Sequence, residues 1–329
     1  MTPAWAKHAG GGILALAAAA VLLTPRAGFS QASTIAFAAR QVGSSSDIYV
    51  MRPDGTARVQ VTEHPAIDIA PHWSPDGSRI AFTTFRDVIP EIYVTRTVDR
   101  RLTNVSMHVS VDNFASWSPD GSRIAFSSQR DLSAEIYVMD ADGANVERLT
   151  REESAADVAP AWSPDGTQIA FAANRGTRSS DVYVMAPDGA DTRQLTTHTA
   201  WDGSPRWHPS GESIAFMSLR DGTVSLYTML PDGSDIRRIE TPGEIGSFSW
   251  SPDATKIAFD MKSIETHTDS IYVMGADGSD VVQITHGIHA NGPDWGTGSV
   301  SAAVDPRWAP VAWGALRALV GPQGIGVGR

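Results

Sequence analysis

Trp73-Ser74-Pro75-Asp76-Gly77-Ser78-Arg79-Ile80-Ala81-Phe82 decides how this chain is read. The stretch returns at 117–126 and 162–171, and in altered form at 207–216 and 250–259, while Trp295 keeps the interval without the rest. The intervals between these tryptophans are 44, 45, 45, 43 and 45 residues. A fixed period in the forties is one supersecondary unit copied along the chain. Ser-Pro-Asp-Gly is turn chemistry: Pro presets φ, Asp bonds back to its own backbone, and Gly accepts a positive φ. The apolar runs on either side are rich in β-branched and aromatic residues and too short for helices, so they read as two strands joined by a hairpin.

A third strand follows at Glu91–Val94, echoed at 47–51, 135–139, 181–185, 226–229 and 271–274. A second turn recurs as Pro53-Asp54-Gly55, Ala141-Asp142-Gly143, Pro187-Asp188-Gly189, Pro231-Asp232-Gly233 and Ala276-Asp277-Gly278, and a short fourth strand follows at Arg101-Leu102-Thr103, echoed by Arg148-Leu149-Thr150 and Gln194-Leu195-Thr196. Four antiparallel strands per period of about 40–45 residues specify a propeller blade. Ahead of Trp73 lie three strands without a Trp strand; after Thr285 lies a Trp strand without the other three. The expected fold is therefore all-β: a six-bladed β-propeller of four-stranded antiparallel blades, its ring closed when the strand of Trp295 completes the first blade. Closure removes open strand edges, and a monomer is expected.

The repeated Trp-Ser-Pro-Asp-Gly, Ile-Tyr-Val-Met, Asp-Gly and Leu-Thr pattern resembles the TolB-type propeller repeat over roughly residues 33–297. The resemblance covers the propeller half of that family and not its N-terminal α/β domain. It implies a module that docks an envelope-associated protein.

Residues 1–32 read as an export signal: Lys7 and His8 precede the apolar run Ile13–Leu23, and Ser30-Gln31-Ala32 offers small residues for cleavage. A periplasmic or secreted protein, not an integral membrane protein, is expected. Residues 33–298 form the propeller. Residues 299–329 form a tail, either disordered or a short docked helix carrying Trp308, Trp313, Leu316 and Val320. The net charge of −11 argues against nucleic acid, which needs a basic face. There is no cysteine, so no disulfide supports the ring.

The candidate site lies on the loop face. Five residues before the tryptophan stand Asp68, Asp112, Asp157 and Asp202; the last two copies carry Ile245 and Ala290. Strand two ends on a base, Arg40, Arg86, Arg130, Arg175, Arg220 or Lys262, and strand three often begins on an acid, Asp47, Glu91, Glu135 or Asp181. One reading is an Asp–Arg–acid network that fixes each blade's loops. The other is a ring of acids at the channel mouth that holds a cation or a partner's basic group, with Asp112, Asp157 and His198 as weak metal candidates. Trp201, outside the repeat, is a candidate contact anchor or an inter-blade packing residue. The turn acids Asp76, Asp120, Asp165 and Asp253 read as structural, as does Asp140–Asn145 despite its likeness to a calcium loop.

No Gly-x-Ser-x-Gly, His-Glu-x-x-His or cysteine nucleophile is present. An exported, non-catalytic module that binds an envelope protein or peptide, with no cofactor, is the expectation. A metal-dependent hydrolase or lactonase, or a sugar- or polymer-binding propeller, is the alternative, with a divalent cation at the channel mouth.

Overall fold

The computed structural model describes residues 33–298 except 42, 153–154, 177–178 and 263–267. The expected export signal and tail lie outside the described residues. Among these, the strands form six four-stranded antiparallel sheets. Blade two runs Asp68–Trp73, Arg79–Thr84, Glu91–Arg96, Leu102–Asn104, from the inner strand outward. Blades three to six repeat this order. Blade one takes its inner strand, His289–Gly296, from the far end of the chain and its others from Thr34–Arg40, Asp47–Met51 and Val59–Gln60. Ile35 pairs with Trp295 and Thr34 with Gly296, and Thr34 Oγ1 donates to the Gly298 carbonyl at 2.6 Å. This is the expected closure.

The first turn holds itself shut through side chains. Ser74 Oγ donates to Asp76 Oδ1 (2.6 Å) and accepts from the Arg79 N–H (2.9 Å). The same pair of bonds recurs at Ser118, Ser163 and Ser251. Serine and backbone donors pull the Asp120 carboxyl down to about 2, and Asp165 and Asp253 are lowered the same way. In the second turn glycine is required by packing: a Cβ on Gly143 would sit 2.4 Å from the Val105 carbonyl oxygen of the preceding blade. The carboxylates of Asp140–Asn145 are occupied locally, Asp142 by the Ala144 N–H and Asp140 by the Asn145 amide.

The core lies between blades rather than within one. Phe37, Phe82, Phe126, Phe171, Phe216 and Phe259 are fully buried, and each has the tyrosine of its own third strand as a ring neighbour. Ala81, Ile92, Val94 and Val105 of blade two meet Trp117, Ile124, Phe126 and Met139 of blade three, and the other interfaces repeat this plan. A blade alone would expose both faces, and burial is worth roughly 1.5–3 kcal/mol for each large apolar side chain. The ring therefore stabilises its blades collectively.

Candidate functional site

On the loop face, each strand-one aspartate meets the arginine eighteen residues later. Arg86 Nη2 donates to both Asp68 oxygens (3.2 and 3.0 Å), Arg130 Nη2 to Asp112 (3.0 Å), Arg175 Nη2 to Asp157 (2.5 Å) and Arg220 Nη2 to both Asp202 oxygens (3.1 and 2.9 Å). In three of these blades the arginine Nε also donates to a strand-two hydroxyl: Thr84, Ser128 or Ser218. Each guanidinium lies over its blade's Phe–Tyr pair, 4.7–5.1 Å from the tyrosine centroid. The four aspartates are 0 % exposed. They do not converge on the channel, and each charge is answered inside its own blade.

The strand-three acids belong to a separate set of bonds. Glu91 accepts from Ser106 Oγ (2.6 Å) and the His108 N–H (3.1 Å), Asp47 from the His64 N–H and Gln60, Asp181 from Thr196 and Gln194, and Glu135 from Thr150 and Arg148. These acids tie strand four and the loop leaving it to strand three. The single Asp–Arg–acid network expected from sequence is thus two networks.

His198 Nδ1 accepts the Ala200 N–H at 3.0 Å, and among the described residues no three His, Asp or Glu side chains gather as a metal site. Trp201 is half-buried against the hydrophobic cluster of blades five and six. It covers Gly203, whose Cβ would stand 2.4 Å from the indole.

Two features escaped the sequence reading because it searched for what repeats. The first is the residue just before each tryptophan: His72, Ser116, Ala161, Arg206, Ser249 and Asp294 in turn round the ring. All six line the channel on its turn side, in a cavity of about 280 Å³. A β-bulge or register irregularity interrupts the pairing of every inner strand ahead of this position. Ser249 Oγ accepts the Trp295 N–H (3.0 Å) and Asp294 Oδ2 the Trp73 N–H (2.7 Å), each linking one blade to the next.

The second is a run of exposed apolar side chains on the loops of blades two and three: Ile67, Phe85, Val88, Met107, Val109 and Leu132. These loops are joined by backbone bonds, Phe85 N–H to Ile67, Asp112 N–H to Pro90 and Gln129 N–H to Val111. Val88 (88 % exposed, φ 73°) and Leu132 (fully exposed, φ 83°) close the turns Phe85-Arg86-Asp87-Val88 and Gln129-Arg130-Asp131-Leu132. In blade five the same turn, Leu219-Arg220-Asp221-Gly222, places glycine there at φ 86°.

A family model described as the TolB beta propeller domain matches residues 14–158 and 151–300. A TolB homolog of Chlorobium luteolum is 41% identical over 61 residues, 18% of this chain and 13% of that protein. The Tol-Pal system protein TolB of Syntrophus aciditrophicus is 39% identical over 75 residues, 22% and 16%. The matches thus span under a fifth of the length of these curated relatives. The crystal structure of TolB from Acinetobacter baumannii superposes with a TM-score of 0.72 at 19% identity, over 81% of this chain and 67% of that one. An oligogalacturonate lyase solved with manganese superposes at 0.54 and 15% identity, over 78% and 75%. At these identities the two structures speak to the fold alone.

Proposed function

Because this chain belongs to the TolB β-propeller domain family, we propose that it is an exported, non-catalytic module that binds a protein or peptide of the cell envelope through its loop face. The observation that carries this reading is the pair Val88 and Leu132. A left-handed backbone costs a residue with a Cβ roughly 1–2 kcal/mol, and exposed apolar side chains give nothing back to folding. Glycine would relieve both costs, as Gly222 does in the equivalent turn. Side chains kept at a cost to stability, with Phe85, Met107 and Val109 also exposed on the loops of the same two blades, are those a partner would cover. The Asp68–Arg86 and Asp112–Arg130 pairs act beneath them, fixing the shape of the two loops. The Tol-Pal system named for one relative motivates the envelope as the place to look.

The test is a Val88→Gly/Leu132→Gly double variant. It should be more stable than the wild type by about 2 kcal/mol. It should also fail to retain the envelope protein that the immobilised wild-type chain retains. A double variant that captures the same partner equally well would refute the assignment.

A further inference from the structure

The channel ring holds one charged group without a partner. The side chain of Arg206 in blade five forms no hydrogen bond or ion pair with any described residue. Its surroundings are the walls of the channel, with Asp294 acting on it only from a distance. The four arginines that end strand two in blades two to five are different: Arg86, Arg130, Arg175 and Arg220 are each seated on a buried carboxylate. The Arg206 guanidinium is half-buried in the channel wall with no acceptor among the described residues, so its donors are free to meet an incoming anion. Burial pushes Arg206 below its ordinary value, with Asp294 pulling it back.

Three blades away in a six-bladed ring, and so across the channel, stands His72. Its Nδ1 lies 3.3 Å from the Trp73 carbonyl and its Nε2 3.8 Å from Asp294 Oδ1. Asp294 is held to the wall, its other oxygen accepting the Trp73 N–H. The charged and titratable groups facing His72 are Asp294 and Arg206; Ser116, Ala161 and Ser249 complete the ring. Burial lowers the His72 imidazole below its ordinary value, Asp294 pulls it back, and Arg206 lowers it again.

We propose that the channel waist is a binding site for a single carboxylate group, held by Arg206 on one side and by His72 on the other. A carboxylate matches the guanidinium's paired donors, and Arg206 is the one channel group able to offer them. The charge count favours it as well. Arg206 and Asp294 alone sum to zero; an entering carboxylate adds one negative charge, and a proton taken up by His72 restores neutrality. Binding is therefore coupled to proton uptake, and affinity rises as pH falls. The cavity of about 280 Å³ on the turn side, which shares His72 and Arg206 as walls with one of about 160 Å³ on the loop side, admits a small acid or an acidic side chain. The site is independent of the loop-face reading: it uses none of the same residues.

Titration with ¹³C-acetate followed by NMR tests it, alongside an acetylated Gly-Asp-Gly amide and its Gly-Asn-Gly twin. Acetate should bind the wild type at one saturable site, more tightly at pH 6 than at pH 7.5. Arg206→Gln should weaken it about tenfold or more, and Arg206→Lys should weaken it less, which keeps the test open should the glutamine variant fold poorly. His72→Gln should abolish the pH dependence and leave residual binding. Binding of acetate but neither peptide assigns the site to a free acid. Binding of the Asp peptide and not the Asn twin assigns it to a side chain reaching into the channel. Absence of saturable binding by either probe, equal binding by Arg206→Gln, or a pH slope that survives in His72→Gln overturns the proposal.

Discussion

Asp260 gives the sharpest energetic test of the ring. It sits on strand two of blade six and is 6 % exposed. It accepts a hydrogen bond from Ser247 Oγ and one from the Gly292 N–H at 3.0 Å, so it spans blade six and the closing strand of blade one. No arginine answers it. Burial pushes its carboxyl up from 3.8 to about 6, with Asp269 adding to the rise and the two donors opposing it. The sign follows from proton counting. Below pH 3.8 both folded and unfolded chains hold the proton; between 3.8 and 6 only the folded chain does; above 6 neither does. The stabilisation that this proton supplies therefore falls as pH rises through the window, and is gone above it. From 3.8 to about 6, at ~1.36 kcal/mol per pH unit, the loss is about 3 kcal/mol. Asparagine keeps an oxygen for the Gly292 N–H and carries no charge. Urea denaturation of the wild type and Asp260→Asn at pH 4, 5 and 7 measures the difference directly, and groups common to both proteins cancel. Because the unfolded carboxyl is already partly ionised at pH 4, the variant's advantage should grow by about 2 kcal/mol from pH 4 to pH 7, a large part of a typical stability of roughly 5–15 kcal/mol. An advantage that stays constant to within about 0.5 kcal/mol, or that grows toward acid, would refute the reasoning.

Asp202→Ala strands Arg220 beneath the loop of blade five and should cost about 3–5 kcal/mol by the same denaturation assay. A loss below about 1 kcal/mol, typical of surface pairs, would show that the pair is not a structural anchor. Gly143→Ala should cost about 2–4 kcal/mol, combining left-handed backbone with overpacking against the Val105 carbonyl. Gly222→Ala, at φ 86° with nothing within 4 Å of its Cβ, should cost only about 1 kcal/mol. Equal losses at the two glycines would contradict the packing of the second turn.

What could be read from sequence was whatever the period enforced. Ser74, Asp76 and Gly77 form a turn that works through its own bonds, so its copies remain recognisable and the blade count follows. The eighteen-residue step from Asp68 to Arg86 recurs because antiparallel neighbours bring the two together in each of four blades. The strand-three acids were misassigned for a geometric reason. Glu91 stands opposite Thr84, next to the arginine's strand, but its carboxylate turns along the sheet to Ser106 and the His108 N–H, partners with no fixed sequence signature. Trp201 has two readings in the sequence, contact anchor or inter-blade packing, because nothing in the pattern says that Gly203 leaves room for an indole; it packs between blades five and six.

The channel ring and the strained loop pair were hidden for the opposite reason: they are legible only as departures from the repeat. Six identical blades present the same chemistry in six directions, and one asymmetric ligand cannot be oriented by such a surface. Orientation requires that the symmetry be broken where the ligand touches. The scaffold positions, Trp73 and its copies, the turn aspartates and the buried phenylalanines, stay alike because each performs the same packing task. The position before the tryptophan carries no such task in every blade, and it diverges to histidine, serine, alanine, arginine and aspartate. The turn after the strand-two arginine keeps glycine in blade five and gives it up for valine and leucine in blades two and three. Recognition by this ring should accordingly be sought where neighbouring blades differ, and substitutions that restore the repeat at those positions should spare the fold while removing the binding.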